Sequence, residues 1–293
     1  MDGCAIVFHT RRRRLATAAM LSVQLGSALS TQLFAALTPA GTACLRLSAA
    51  AVILLVCVRP PTRSISRPVL LTTVALGAVT GLLMLMFIEA IARIPLGTAV
   101  AIEFLGPLTV AALRSSRGSA LIWPVLALLG VLALTQPWAG ALNLVGVGFA
   151  CASGASWGGY ILLTQRVGDQ LPGMQGLAIS LTTAAVVVAP VGAGAALGGM
   201  TWAIAAQGVG VAVLAPLTPF IFEMLALRRM PIAAFGTLMA LEPAIAALLG
   251  LLVLAQRPDL LQILGVAAVV IAGIGAQLPS RRVGPVQAIP TTK

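Results

Sequence analysis

Ten apolar runs of about twenty residues, parted by short connectors that hold most of the charge, constrain this chain more than any other feature. A helix of that length and character crosses the hydrocarbon core of a bilayer. Turn and charge punctuation places the runs at residues 15–37, 41–58, 69–91, 95–113, 119–136, 141–164, 173–193, 203–227, 231–255 and 260–279. Only 9% of the side chains are charged and 59% are hydrophobic, whereas an ordinary soluble domain is about one quarter charged. The chain therefore reads as an all-α polytopic membrane protein with ten transmembrane helices. No connector is long enough to hold a soluble domain.

Loop charge tests this count and sets the orientation, because the cytoplasmic side carries the excess of Lys and Arg. With both termini cytoplasmic, that side collects Arg11 to Arg14, Arg59, Arg63, Arg67, Arg114, Arg117, Arg166, Arg228, Arg229, Arg281, Arg282 and Lys293. The opposite side receives Arg93 and Arg257, while Arg46 lies inside the second run. One span more or fewer near the middle would scramble this alternation. The net charge of +11 is thus read as topological, since it lacks the aromatic interleaving or motif that nucleic-acid binding requires. Cys4, Cys44, Cys57 and Cys151 show no CxxC spacing and read as small hydrophobes. His9, the one histidine, sits in the basic tail, so neither a metal nor a cofactor is expected. The opening RRRRLATAAMLSVQLGSALSTQLFA has the order of a secretory signal. Its apolar part is too long for a signal core, however, and is interrupted by Gln24 and Gln32.

The chain repeats itself. PLGTAVAIEFLGPLTVAAL from Pro95 and PIAAFGTLMALEPAIAALL from Pro231 each open on proline, reach a second proline twelve residues on (Pro107, Pro243) and carry a glutamate before it. The offset of 136 maps the fourth run onto the ninth, so each half holds five spans and the halves face opposite ways across the bilayer. The expected organisation is a basic tail (1–14), a first five-helix repeat (15–140), a second (141–280) and a cytoplasmic tail (281–293). Inverted repeats of this kind build secondary transporters, with the substrate site near the midplane where the halves meet.

All four glutamates, Glu89, Glu103, Glu223 and Glu242, fall inside the runs, and the three aspartates do not. A charge at a helix centre costs about 2.5–3.5 kcal/mol, and each Leu, Ile, Phe or Val returns only about 0.3–0.6. Some of these glutamates could instead be neutral bridges between helices or lie near a span end, Glu89 above all. Pro107 and Pro243 each leave a carbonyl without its helical donor, a defect tolerated in membranes where protein or cavity water satisfies it. Arg46 either snorkels to the interface, pairs with a glutamate, or holds an anionic substrate group. Trp157 and Tyr160 in SGASWGGY either pack the core or, beside Gly154, Gly158 and Gly159, line a cavity. Gln24 and Gln32 are further polar candidates, and LLMLMF in the third run reads as lipid-facing or core. Substrate-binding or proton-coupling candidates are thus Glu103, Glu242, Glu223, Glu89, Arg46, Trp157 and Tyr160.

PLGTAVAIEFLGPL, SWGGYILLTQRVG and FGTLMALEPAIAALLGLL resemble the drug/metabolite transporter superfamily, in particular its EamA-type members on the branch of bacterial threonine/homoserine exporters. The resemblance spans residues 15 to 280. It implies ten helices in two inverted repeats, a central cavity, and export from the cytoplasm across the inner membrane, driven by the proton gradient or by substrate gradients. Glu103 and Glu242 would be the glutamates of helices four and nine. The chain departs from the pattern after helix nine, where members commonly carry a Gly-Glu pair: here LVLAQRPDLLQ puts Gln256 in place of the acid that would close the external gate. The expected partners are a small-molecule substrate, protons and the bilayer, with no obligate protein partner evident. A same-fold exporter of drugs, nucleosides or other metabolites is the nearest rival. An intramembrane enzyme is disfavoured by the lack of HExxH-like pairs and of aspartates within the spans.

Overall fold

A computed structural model describes residues 17–60, 65–114, 122–139, 143–168, 170–171, 174–227 and 238–277, and among these residues the regular structure is helical, with no strand. Helix α1 (residues 17–30) runs through a 3-10 turn at Thr31–Leu33 into α2 (Phe34–Val58). There follow α3 (Arg67–Ile91), α4 (Leu96–Glu103), α5 (Leu105–Arg114), α6 (Ile122–Thr135), α7 (Leu144–Gly168) and α8 (Gln175–Gly198). The last stretches are α9 (Trp202–Ala212), a π-turn at Val213–Leu217, α10 (Thr218–Leu227), α11 (Glu242–Leu254) and α12 (Leu260–Gln277).

Seven helical stretches are long and apolar enough to cross a membrane, and two shorter apolar helices cover Glu242–Leu254 and Leu260–Ala276. The chain is a polytopic membrane protein. The first stretch, Thr17–Val58, is 42 residues long, about twice what one crossing needs. It bends at Thr38, where φ is 61° and ψ 165°. Thr38 then starts a new helix: its Oγ1 accepts the Gly41 N–H at 3.3 Å, and Pro39 follows, whose missing N–H costs nothing in a first turn. The bend falls between residues 37 and 41, where the sequence parts its first two apolar runs.

Small residues let the helices approach. A Cβ at Gly77 or Gly81 on α3 would lie 2.5 Å from the Ser180 carbonyl oxygen or 2.9 Å from that of Ala184, both on α8, which is how membrane helices gain packing without a hydrophobic drive. Helix α2 packs on α8, α4 on α11 and α6 on α12. Leu47, Ile88, Val100, Leu181 and Val269 are buried in the shared core, while Val56, Leu71, Leu252 and Leu264 are exposed. An apolar exterior suits a lipid solvent. The fourth run breaks at Phe104, between α4 and α5, and the ninth has a turn at residues 240–241 before α11. On the 136-residue offset Phe104 maps onto Ala240, so the two breaks coincide.

Candidate functional site

Glu103 is the last residue of α4, and Pro107 cannot offer its carbonyl an N–H. Helix α7 closes over this break. A Cβ at Gly106 would collide with the Gly154 carbonyl oxygen, and one at Gly154 would sit 2.8 Å from the Glu103 carbonyl oxygen. Glycine is required on both sides of the contact. The approach brings the neighbouring Ser153 hydroxyl onto Glu103 Oε1 and within 3.1 Å of the Leu83 carbonyl oxygen. Glu103 is 8% exposed and Glu242, at the start of α11, is 4% exposed.

A third break lies in LAPLTPF, around the π-turn. Pro219 has no N–H for the Ala215 carbonyl, and Ala215 itself leaves helical geometry (φ −155°, ψ 116°). Arg46 replaces the missing donor. Its Nε and Nη2 donate to Ala215 O at 3.3 and 3.2 Å, and its Nη1 donates to Ser30 Oγ at 3.0 Å. The next carbonyl, Leu214 O, accepts the Ser22 hydroxyl at 2.7 Å. Arg46 is 3% exposed, so the snorkelling option is corrected: the guanidinium is held inside the bundle by a broken backbone. Three of its five N–H donors are engaged among the described residues.

Glu103, Glu242, Arg46, Trp157 and Tyr160 line one cavity of about 120 Å³, room for about four waters at about 30 Å³ each. The wall is otherwise largely aromatic and apolar. Trp157 meets Phe104 edge-on, with ring centroids 6.3 Å apart, and Tyr160 lies 6.4 Å from Phe220. Within LLMLMF, Leu82 is exposed and Leu85 lies in the core, as the lipid-facing or core reading has it, and Leu83, Met84 and Phe87 in addition give the cavity one wall. Glu89 is not among the lining residues. It pairs with Arg93, whose guanidinium stacks 4.8 Å over the Phe149 ring. The Glu223 side chain lies outside what the structure describes. Pro107 and Pro243 flank the site as breaks and do not line it. Sequence reasoning missed Ser153, Ser22 and the Pro216/Pro219 break, although two prolines three apart in an apolar run were the visible signal.

Gln256 sits apart, beside a second pocket lined by Thr98, Arg257 and Gln262. Its Oε1 accepts the Leu96 N–H at 3.0 Å, at the start of α4. A neutral amide thus fills an acceptor position that an acid would also satisfy.

A profile of the EamA-like transporter family matches residues 144–276. The threonine/homoserine exporter RhtA of Salmonella typhimurium (strain LT2) is 38% identical over 270 residues, covering 90% of each chain. The protein of that name from Escherichia coli (strain K12) is 36% identical over 270 residues, again with 90% of each covered. A crystal structure of a protein aligns with 91% of this chain and 97% of its own at a TM-score of 0.58 and 16% identity, a likeness of fold alone.

Proposed function

The chain belongs to the EamA-like transporter family, and from that premise we propose that it exports threonine, homoserine and similar small amino acids from the cytoplasm across the inner membrane, in exchange for protons, by alternating access. That it is a membrane exporter and not an enzyme follows from its relatives.

One observation carries the finer reading: Glu103, Glu242 and Arg46, from three separate stretches, surround a single cavity inside an apolar bundle. An amino acid at neutral pH brings an ammonium and a carboxylate, each needing an opposite charge once its water is removed. The guanidinium can meet the carboxylate bidentately, and a glutamate can meet the ammonium. A carboxylate that binds the ammonium cannot hold a proton at the same time. Competition between the two is what exchange of substrate for proton requires.

The architecture in this proposal is ten spans in two inverted halves, residues 15–140 and 141–280, with both termini cytoplasmic. Its support is the loop charge, the coincidence of the breaks at Phe104 and Ala240, and the packing of α2 on α8, α4 on α11 and α6 on α12, each pairing a run with its counterpart five runs on. Broken helices at the midplane are also the places where two rigid halves can hinge.

The test is efflux of labelled threonine and homoserine from proteoliposomes under an imposed pH difference. Gradient-dependent efflux of both supports the reading. Folded protein that moves neither, yet moves a nucleoside or an amphipathic drug, would establish the same-fold rival.

A further inference from the structure

One polar side chain in the cavity is employed neither by the helix breaks nor by the charges. Gln24, on α1, is 4% exposed and lines the cavity. Its Oε1 is buried and has no hydrogen-bond partner among the described residues. Ser27, which lines the same wall, turns its hydroxyl to the Val23 carbonyl of its own helix at 2.8 Å and does not serve the amide. Among the described residues the other side-chain atom of this kind is Thr164 Oγ1, which does not line the cavity. An acceptor buried without a partner is expensive, and its exceptional character calls for one that arrives through the cavity, as water or as a bound molecule.

The chemistry of the site narrows that partner. Ammonium and carboxylate are common to every amino acid, and the cavity answers them with groups of opposite charge. What remains in the wall is an uncharged acceptor, whose complement is an uncharged donor. Building on the exporter reading above, we propose that Gln24 Oε1 accepts the side-chain hydroxyl of a bound hydroxy-amino acid and so selects it over an isostere with a methyl in that place. An apolar pocket cannot strongly reject a hydroxyl, but a buried acceptor rejects the analogue that leaves it unpaired. Selection at this residue is therefore against valine and 2-aminobutyrate, which match hydroxy-amino acids in size and charge.

The experiment compares initial rates for threonine and valine, at equal concentration, in proteoliposomes holding the native protein, Gln24→Met or Gln24→Asn. Methionine keeps the length and apolar volume and removes the acceptor; asparagine keeps the acceptor and withdraws it. The native protein is expected to prefer threonine by about tenfold or more. The ratio should fall to near one in Gln24→Met, chiefly through a rise in KM for threonine, and to an intermediate value in Gln24→Asn. A Gln24→Met protein that keeps the native ratio overturns the proposal, and so does a parallel fall of both rates at constant ratio, because the amide then serves the shared ammonium or the fold. If Gln24→Met fails to fold, Gln24→Asn decides, and an unchanged ratio there counts against the proposal. Native protein that moves both amino acids equally leaves the exporter reading standing and removes only the selection. Native protein that moves neither removes both.

Discussion

Replacing Glu103 with glutamine removes the ability to carry and release charge while keeping side-chain volume and the Oε1 acceptor that the Ser153 hydroxyl addresses. The structural consequence is small. A neutral hydrogen bond takes the place of any made by the ionised form, a loss of at most about 1 kcal/mol, while the cost of burying that ionised form at membrane depth, about 2.5–3.5 kcal/mol, no longer arises. The unfolding temperature should hold or rise. The transport consequence is large. Each proton exchanged per substrate lets a pH difference of one unit sustain about 1.4 kcal/mol, a tenfold concentration ratio. Two carboxylates face the cavity, so the ceiling is about one hundredfold for two protons by the same conversion. The assay is steady-state accumulation of labelled threonine in proteoliposomes at a one-unit pH difference, with the membrane potential clamped at zero. Glu103→Gln should lower the native ratio about tenfold, while exchange of labelled for unlabelled threonine continues. A variant that sustains the native ratio would refute proton carriage by Glu103.

Arg46→Lys leaves one compact ammonium where a fork addresses both Ala215 O and Ser30 Oγ; the lost bond and the poorly paired carbonyl should cost about 1–3 kcal/mol, read as a lower unfolding temperature in detergent together with a raised KM for threonine. Gly106→Ala drives a Cβ against the Gly154 carbonyl and should cost about 1–3 kcal/mol or more, whereas Gly148→Ala, in the same bundle but with nothing within 4 Å of the new atom, should gain about 0.5–1 kcal/mol of helix stability. Gln256→Glu places a full negative charge on the Leu96 N–H at the start of α4, and should stabilise by about 0.3–1 kcal/mol at low salt, a gain that added salt erodes. The Asp259 carboxyl is held below its ordinary range by the Gln136 amide and the Gln262 backbone N–H. Its stabilising contribution is therefore complete above the unfolded value of about 3.9 and disappears as pH falls through the lower folded value. The unfolding temperatures of native protein and Asp259→Asn should differ at pH 6, begin to converge below about pH 4 and meet only below the lower folded value.

Apolar length made the helical stretches legible, because the bilayer imposes it directly on sequence. Glu103, Glu242 and Arg46 were legible for the same reason: a charge in an apolar run stands out from its neighbours by residue type alone. The Arg46 partner was not. Its hydrogen bonds go to Ala215 and Ser30, and a backbone carbonyl has no identity that sequence can display. Only the proline that orphans that carbonyl, Pro219, is visible, and it lies 173 residues from the arginine that serves it. Gln24 and LLMLMF were ambiguous for a different reason. A glutamine or methionine facing lipid, core or cavity has the same letters, and only the rotation of its helix decides.

The two best-described breaks are answered by different means, and the difference bears on mechanism. At Glu103 the answer is steric: glycine meets glycine, and Ser153 is delivered to a carboxylate that also faces the cavity. At Ala215 the answer is electrostatic: a guanidinium that lines the same cavity is anchored by the carbonyl that Pro219 leaves without its helical donor. Each break therefore supports one charged group of the site, and neither charged group is held by an ion pair among the bonds described above. A charge fixed by neutral backbone keeps its attraction for a ligand of opposite sign, which an ion-paired charge would largely have spent. The expensive features of the sequence, prolines in spans and charges in hydrocarbon, thus support one another. Removing the prolines would return each carbonyl to its own helix and leave the arginine without its anchor.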